Sequence, residues 1–283
     1  MEQLKILTHP ITGLTFKMGR KTPKVIGPHL KMRNYLSKKK SSPLIVPTSG
    51  DYTKGAEDAL KRIYLNDLFG CCVISYCAHI EGVFTNLSYG KPSIFSNGQI
   101  VEMYTAIGGF NPDAKLDAGG NNPTDGGCDE VTALNYWTQH GFSSSKHKIT
   151  AWISVDGTKP DEINQALYLF GNLMYGAAMP DAWVTPMPEK SGFIWDVAGD
   201  PNEANGHCFG SASWTPQGPI IQTWGMNGII TYAATAKYTA SSVGGGLYSV
   251  LTPEIIKRAS DKAPNGLNYA KLQEHMIAMH GGH

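Results

Sequence analysis

Glycine and proline punctuate this chain so densely, 32 and 17 of 283 residues, that long uninterrupted elements are excluded over most of its length. Glycine loses the most backbone freedom on folding and proline lacks an amide donor, so both collect in turns and at element ends. Such punctuation predicts many short elements, hence an α+β fold rather than a helical bundle. One stretch escapes it. From Cys72 to about Val83 the chain is apolar and free of proline, with Gly70 just ahead, and this predicts a helix. The chain is 41% hydrophobic and 10% aromatic, which supplies a core and excludes a disordered polymer. No apolar run approaches the ~18 residues of a membrane span, and the N-terminus lacks the apolar stretch of a signal peptide.

The formal net charge of +1 argues against a dedicated nucleic-acid binder, but it hides an asymmetry. Residues 1–50 carry ten basic side chains against one acid, a balance of +9; the remainder carries fourteen against twenty-two, a balance of −8. The basic clusters are Arg20-Lys21 with Lys24, and Lys38-Lys39-Lys40. With five prolines and no sustained period, residues 1–50 read as an extended, mostly irregular arm. It is either a solvated segment or one that docks on an acidic surface, this protein's own body or a partner.

Past the arm, residues 54–64 read as a short helix, and Asp129–His140 as an amphipathic helix closed by Gly141. Thr158-Lys159-Pro160-Asp161 resembles a helix start. The helix it opens places Ile163, Leu167, Phe170 and Met174 on one face and stops near Gly176. Beyond Asn205 the pattern turns to strands: CFGSASW, PIIQTW, IITYA and LYSVL. His280 and His283 read as part of a loose tail.

The five cysteines, Cys71, Cys72, Cys77, Cys128 and Cys208, form no CxxC pair, so neither a disulfide framework nor a zinc site is indicated. A reducing interior fits them better than an oxidising one, which leaves the sequon at Asn86 without meaning. Neither a metal nor another cofactor is called for. Phosphate-loop, GxSxG, HExxH and dinucleotide signatures are absent. What remains is an ordered set of segments: Asn66-Asp67-Leu68-Phe69-Gly70-Cys71-Cys72 ahead of the apolar helix, Gly127-Cys128-Asp129, Asn205-Gly206-His207-Cys208, Gln222-Thr223-Trp224-Gly225 and Gly246-Leu247-Tyr248. A thiol at a helix N-terminus feels the positive end of the helix dipole, which favours the thiolate.

That order and spacing resembles the papain-like cysteine peptidases, over roughly residues 51–258. The resemblance implies a two-lobe α+β fold, helical over about 51–150 and β-rich over about 151–258, with the arm before it and a tail at 259–283. It further implies Cys72 as nucleophile, ion-paired with His207 as general base and acid. Asn66 stands at the place of the family's oxyanion-hole glutamine, Gln222 at that of the orienting asparagine, and Trp224 covers the imidazole. Cys128 falls in the family's Gly-Cys segment lining the cleft. The departures are one methylene each, Asn66 shorter and Gln222 longer, and Cys71 is a vicinal thiol able to form a disulfide with Cys72. The reaction implied is cleavage of a peptide or amide bond through a thioester.

Duller readings stand beside these. Cys72 is otherwise a buried small apolar residue, His207 a strand-end histidine bonded to a carbonyl, and His79 a core histidine. The wording GRK…RNYL, YLNDLFGCC, GGCDEVTALNYWTQHGF, WDVAGDPN and NGHC is also similar to a group of bacterial and tailed-phage proteins with no settled activity, in which an acid usually stands at the position of Cys71. Two expectations follow: a thiol hydrolase acting on a peptide or protein, or a virion structural or decoration protein. In the second the site is vestigial and the arm docks on capsid, tail or identical subunits. The corresponding locations are the bacterial cytoplasm and the virion.

Overall fold

The apolar stretch after Gly70 forms the axis of the molecule. The computed structural model describes residues 4–24, 27, 29–36, 44–143 and 147–280. In it helix α2, Cys72–Tyr89, has every residue from Cys72 through Thr85 buried. A helix apolar on all sides must be covered on all sides. Gly90 ends it in the left-handed conformation, returning its N–H to the Asn86 carbonyl. The helix expected over 54–64 is a single turn, α1 (Glu57–Leu60), pressed so close that a Cβ on Gly82 would sit 2.4 Å from that of Ala59. Helix α3 (Asn97–Gly108) starts on a Ser96/Gln99 capping box. Helix α4 (Glu130–His140) starts on Asp129, whose carboxylate accepts from the Thr132 N–H, and ends at Gly141 as expected.

Against α2 lies a mixed sheet, nine-stranded among the described residues. Its order is β3 (Leu30–Lys31), β5 (Ala151–Ser154), β11 (Gly246–Leu251), β6 (Leu173–Ala178), β8 (Gly206–Thr215), β9 (Gly218–Thr223), β10 (Met226–Ile230) and β7 (Phe193–Trp195), with β4 (Gly50–Asp51) on β8. The inner pairs are antiparallel, and the outermost pairs β3–β5 and β10–β7 are parallel. Strand β8 crosses α2 where Gly210 meets Tyr76; a Cβ there would fall 2.1 Å from the ring. The Tyr76 hydroxyl donates to the Leu173 carbonyl of the next strand, 3.1 Å away.

Three expectations are corrected. Helix α5 (Pro160–Phe170) begins with proline in its first turn but stops at a left-handed Gly171, five residues before Gly176. Met174 therefore lies on β6, a strand buried along its whole length; a short apolar run carries no period that separates helix from strand. In IITYA only Ile229 and Ile230 are strand, because the Thr231 hydroxyl accepts from the Ala234 N–H and starts helix α6 (Tyr232–Tyr238). The loose end expected at His280 to His283 begins on a helix: α7 (Pro253–Lys262) and α8 (Tyr269–His280) follow the last strand, Leu272 and Met276 are buried, and residues 281–283 lie outside the described residues.

The arm is not irregular throughout, and part of it packs on the body while residues such as Ile11 and Ile45 stay exposed. Strands β1 (Ile6–Thr8) and β2 (Thr15–Lys17) form a hairpin, and Leu7, Phe16, Met18, Leu30, Met32 and Tyr35 join the core. Three of its cations meet body carboxylates, Lys5 with Asp181 at 3.1 Å, Lys17 with Asp125 at 2.8 Å and Arg20 with Glu130 at 2.9 Å. Lys38-Lys39-Lys40 lie outside the described residues.

Gly210→Ala is expected to destabilise the protein by about 1–3 kcal/mol, because the added methyl forces β8 off Tyr76. Gly98→Ala, on α3 with its nearest neighbour 3.9 Å away, is expected to be neutral or mildly stabilising. Urea unfolding of the two variants checks the contrast.

Candidate active site

Cys72 opens α2 with Cys71 at the cap, so the first N–H groups of the helix have no carbonyl within the helix to donate to. The backbone N–H groups of Cys208 on β8 and of Gly19 in the arm favour ionisation of the Cys72 thiol, and Cys208 is the residue next to His207. No hydrogen bond joins Cys72 and His207.

The His207 ring is held from two other sides. Its Nε2 lies 2.7 Å from the Thr223 hydroxyl, and Trp224 stacks on it at 4.6 Å between ring centroids and 20° between planes. Nδ1 is buried with no partner. The expected orienting residue Gln222 does not reach the ring: its Nε2 donates to the Ile220 carbonyl at 3.3 Å. Successive side chains on a strand point to opposite faces, so when Thr223 faces His207, Gln222 cannot. Trp224 then turns the chain. It and Gly225 have φ of 52° and 74°, and Thr223 pairs with Met226 across them, a two-residue hairpin of the kind that demands positive φ at both positions. Glycine accepts this freely, and the tryptophan is held there by stacking on His207.

Asn66 is buried beside the start of α2. Its side-chain amide donates to the carbonyls of Lys17, 3.1 Å, and Phe69, 3.2 Å, and the Asn66 backbone carbonyl accepts from the Lys17 N–H at 3.1 Å. The candidate oxyanion donor thus already grips a peptide carbonyl, supplied by the arm. The next residues continue across the site. The Gly19 carbonyl accepts from the Cys128 N–H at 3.0 Å, the Arg20 N–H donates to the Gly206 carbonyl at 3.2 Å, and the Lys21 N–H donates to the Cys128 carbonyl at 2.9 Å. Such approach requires glycine: a Cβ on Gly19 would lie 1.8 Å from the Gly70 carbonyl oxygen, and one on Gly127 1.9 Å from that of Gly19. Residues 15–21, a strand over Thr15–Lys17 and a single bridge at Arg20, therefore lie across the site between Asn66 and Gly70 on one side and Gly206 and Cys128 on the other.

Burial under this strand overturns the expected thiolate. It pushes the Cys72 thiol up to about 11, against the Cys208 and Gly19 N–H groups and the Arg20 charge, which favour ionisation. Burial likewise pushes the His207 imidazole down to about 3. The pair is a neutral thiol and a neutral imidazole, not an ion pair. Cys71 is free rather than disulfide-bonded; its sulfur donates to the Tyr64 carbonyl at 3.4 Å, facing away into the core. The Cys128 thiol is buried and raised by desolvation, and the residue's part in the site is played by its backbone. Among the described residues no cluster of side chains is arranged to hold a metal ion.

Two residues the sequence reading passed over complete the site. The Asp125 carboxylate accepts from the Gly70 N–H at 2.9 Å, the Tyr104 hydroxyl at 2.8 Å and Lys17, and so ties the loop before α2 to the arm. Glu130, fully buried in the first turn of α4, binds Arg20. An acid in the first turn of a helix is ordinary in sequence, and only its burial marks it.

Neither a protein-family model nor a curated protein sequence matches the chain significantly. Solved structures do match. Xylellain, a cysteine protease from Xylella fastidiosa, is similar with a TM-score of 0.59 at 11% identity, over 89% of this chain and 99% of that one. Procathepsin L2 from the Tenebrio molitor larval midgut gives 0.56 at 10%, over 88% and 84%. Procathepsin B from Trypanosoma congolense gives 0.54 at 11%, over 82% and 86%. At such identities the likeness is one of fold, and the order of helix, strands and hairpin around Cys72 agrees with it: the chain has the fold of the papain-like cysteine proteases.

Proposed function

We propose that this chain is a thiol hydrolase that cleaves a peptide or amide bond, and that its own residues 15–21 cover the site at rest. One observation carries the reading: a segment of the arm runs past the start of α2 with its Lys17 carbonyl on the Asn66 amide, its Gly19 carbonyl on the Cys128 N–H and its Lys21 N–H on the Cys128 carbonyl. A site that binds backbone in this manner is shaped for a peptide. Two of the similar structures are, by their names, proforms, which agrees with a covered state.

With the strand withdrawn, water and substrate reach Cys72. His207 takes the thiol proton, and the sulfur attacks the substrate carbonyl carbon. The resulting oxyanion accepts from the Asn66 amide and from the Cys72 backbone N–H. The C–N bond then breaks, the amine leaves with the proton from His207, and water releases the acid from the thioester by the same steps. Thr223 and Trp224 hold the imidazole in place throughout.

Gly19→Val tests the reading, since any side chain there collides with the Gly70 backbone and lifts the strand. The variant is expected to react with a peptidyl vinyl sulfone at Cys72 at least tenfold faster than the native protein, and to cleave peptides. Cys72→Ala and His207→Ala in that background abolish cleavage, and Asn66→Ala lowers kcat about 10²-fold. A Gly19→Val protein that stays folded but is neither labelled at Cys72 nor active on any peptide of a random library overturns the proposal.

The protonation states predict a pH dependence of stability. His207 and His79, pushed down by burial to about 3 and about 4, bind protons in the unfolded chain below the ordinary histidine value but not in the native one. Unfolding free energy is therefore full above that value and falls with decreasing pH, by about 1.4 kcal/mol per unit for each of the two. Urea titrations at intervals from neutral pH downward should show this slope, roughly halved in His207→Asn.

A further inference from the structure

The covering strand inserts one charged side chain into the body beside the nucleophile. Arg20 is 7% exposed; its Nε donates to Glu130 Oε1 at 2.9 Å and its terminal nitrogen to the Gly244 carbonyl. Glu130 is wholly buried, and its second oxygen, Oε2, has no partner. The carboxylate has its place because residue 176 is glycine; a Cβ there would lie 2.4 Å from Oε1. The backbone on either side of Arg20 is held through main-chain groups of Gly206 and Cys128, which read any extended peptide alike. The side-chain pocket alone can discriminate.

From this we infer that Glu130 and the Gly244 carbonyl form a specificity pocket for an arginine side chain, and that the chain selects peptides carrying arginine there. The inference rests on the thiol-hydrolase reading. When the strand withdraws, the Glu130 carboxylate loses its guanidinium partner and neither oxygen is paired within the protein. A buried carboxylate stripped of its partner is strongly unfavourable, so binding favours a ligand that restores the pair. The pocket offers two acceptors, a carboxylate and a carbonyl, reached by different nitrogens of one guanidinium. A lysine ammonium is a single point and does not span a fork of this kind. Arg20 thus displays, from within the chain, the chemistry of the group the pocket takes from a substrate.

The test reads binding in full-length Arg20→Ala with Cys72→Ala added, so that turnover plays no part. The probe is a synthetic peptide of residues 14–23, compared by calorimetry with versions carrying Lys or Leu at the Arg20 position. The arginine peptide is expected to bind at least tenfold tighter than the leucine peptide and several-fold tighter than the lysine peptide. In Arg20→Ala/Glu130→Gln the preference for arginine is lost. Should Arg20→Ala fail to fold, Gly19→Val and Gly19→Val/Glu130→Gln take its place, since there the strand is displaced and no charge removed. Equal binding of the three peptides, or a preference that survives Glu130→Gln, overturns the inference. Discrimination without cleavage by the Cys72 protein leaves the pocket standing and removes the hydrolase reading; cleavage without discrimination does the reverse.

Discussion

The contact between Tyr76 and Gly210 is the interaction on which the arrangement turns. Helix α2 is buried on every side, so its position is set by how near the sheet can come, and at Gly210 strand β8 comes to van der Waals distance of the Tyr76 ring. The Tyr76 hydroxyl, bonded to the Leu173 carbonyl, pins the same point to β6. From there β8 runs back to Cys208 and His207 at the level of the first turn of α2. The thiol and the imidazole come from residues 135 positions apart in sequence, and this packing lays the strand that carries His207 against the helix that Cys72 opens. A side chain at position 210 would spread the two elements and disturb the site before touching any residue in it.

Exclusion of water governs the chemistry of what is brought together. A helix N-terminus, two backbone N–H groups and the Arg20 charge all favour a thiolate at Cys72, yet burial outweighs them and leaves the thiol protonated. The covering strand supplies two of those favourable groups, the Gly19 N–H and the Arg20 charge, and also removes the solvent. Its withdrawal would expose the thiol and imidazole together, so access and reactivity are coupled through one segment. The glycines at 19, 70 and 127 make the coupling possible, because only bare backbone allows three chain segments to meet so closely.

Much of the scaffold was legible from the sequence. The long apolar run, the Asp129-to-His140 helix closed by Gly141, and the late strands are local patterns, and each formed close to where its pattern lies. The errors share one cause. Met174, the IITYA segment and the C-terminal helices depend on which neighbour covers an apolar face, and periodicity does not report that. At the site, Thr223 and Trp224 of the 222–225 segment lie against His207, and Gln222 does not. Thr223 rather than Gln222 faces His207, because orientation on a strand is set by register with its partners.

By itself the sequence determined some element ends, as at Gly141, since caps, breakers and apolar runs act over a few residues. It also determined that Cys72 would open a helix and that positive charge would collect in the first fifty residues. Only the tertiary structure decided that part of this charge would lie over the thiol, with Arg20 on Glu130 and Lys17 on Asp125. The physical reason is that burial and ion pairing are sums over groups more than a hundred residues apart. No local window contains both members of such a pair, or the solvent that their meeting excludes.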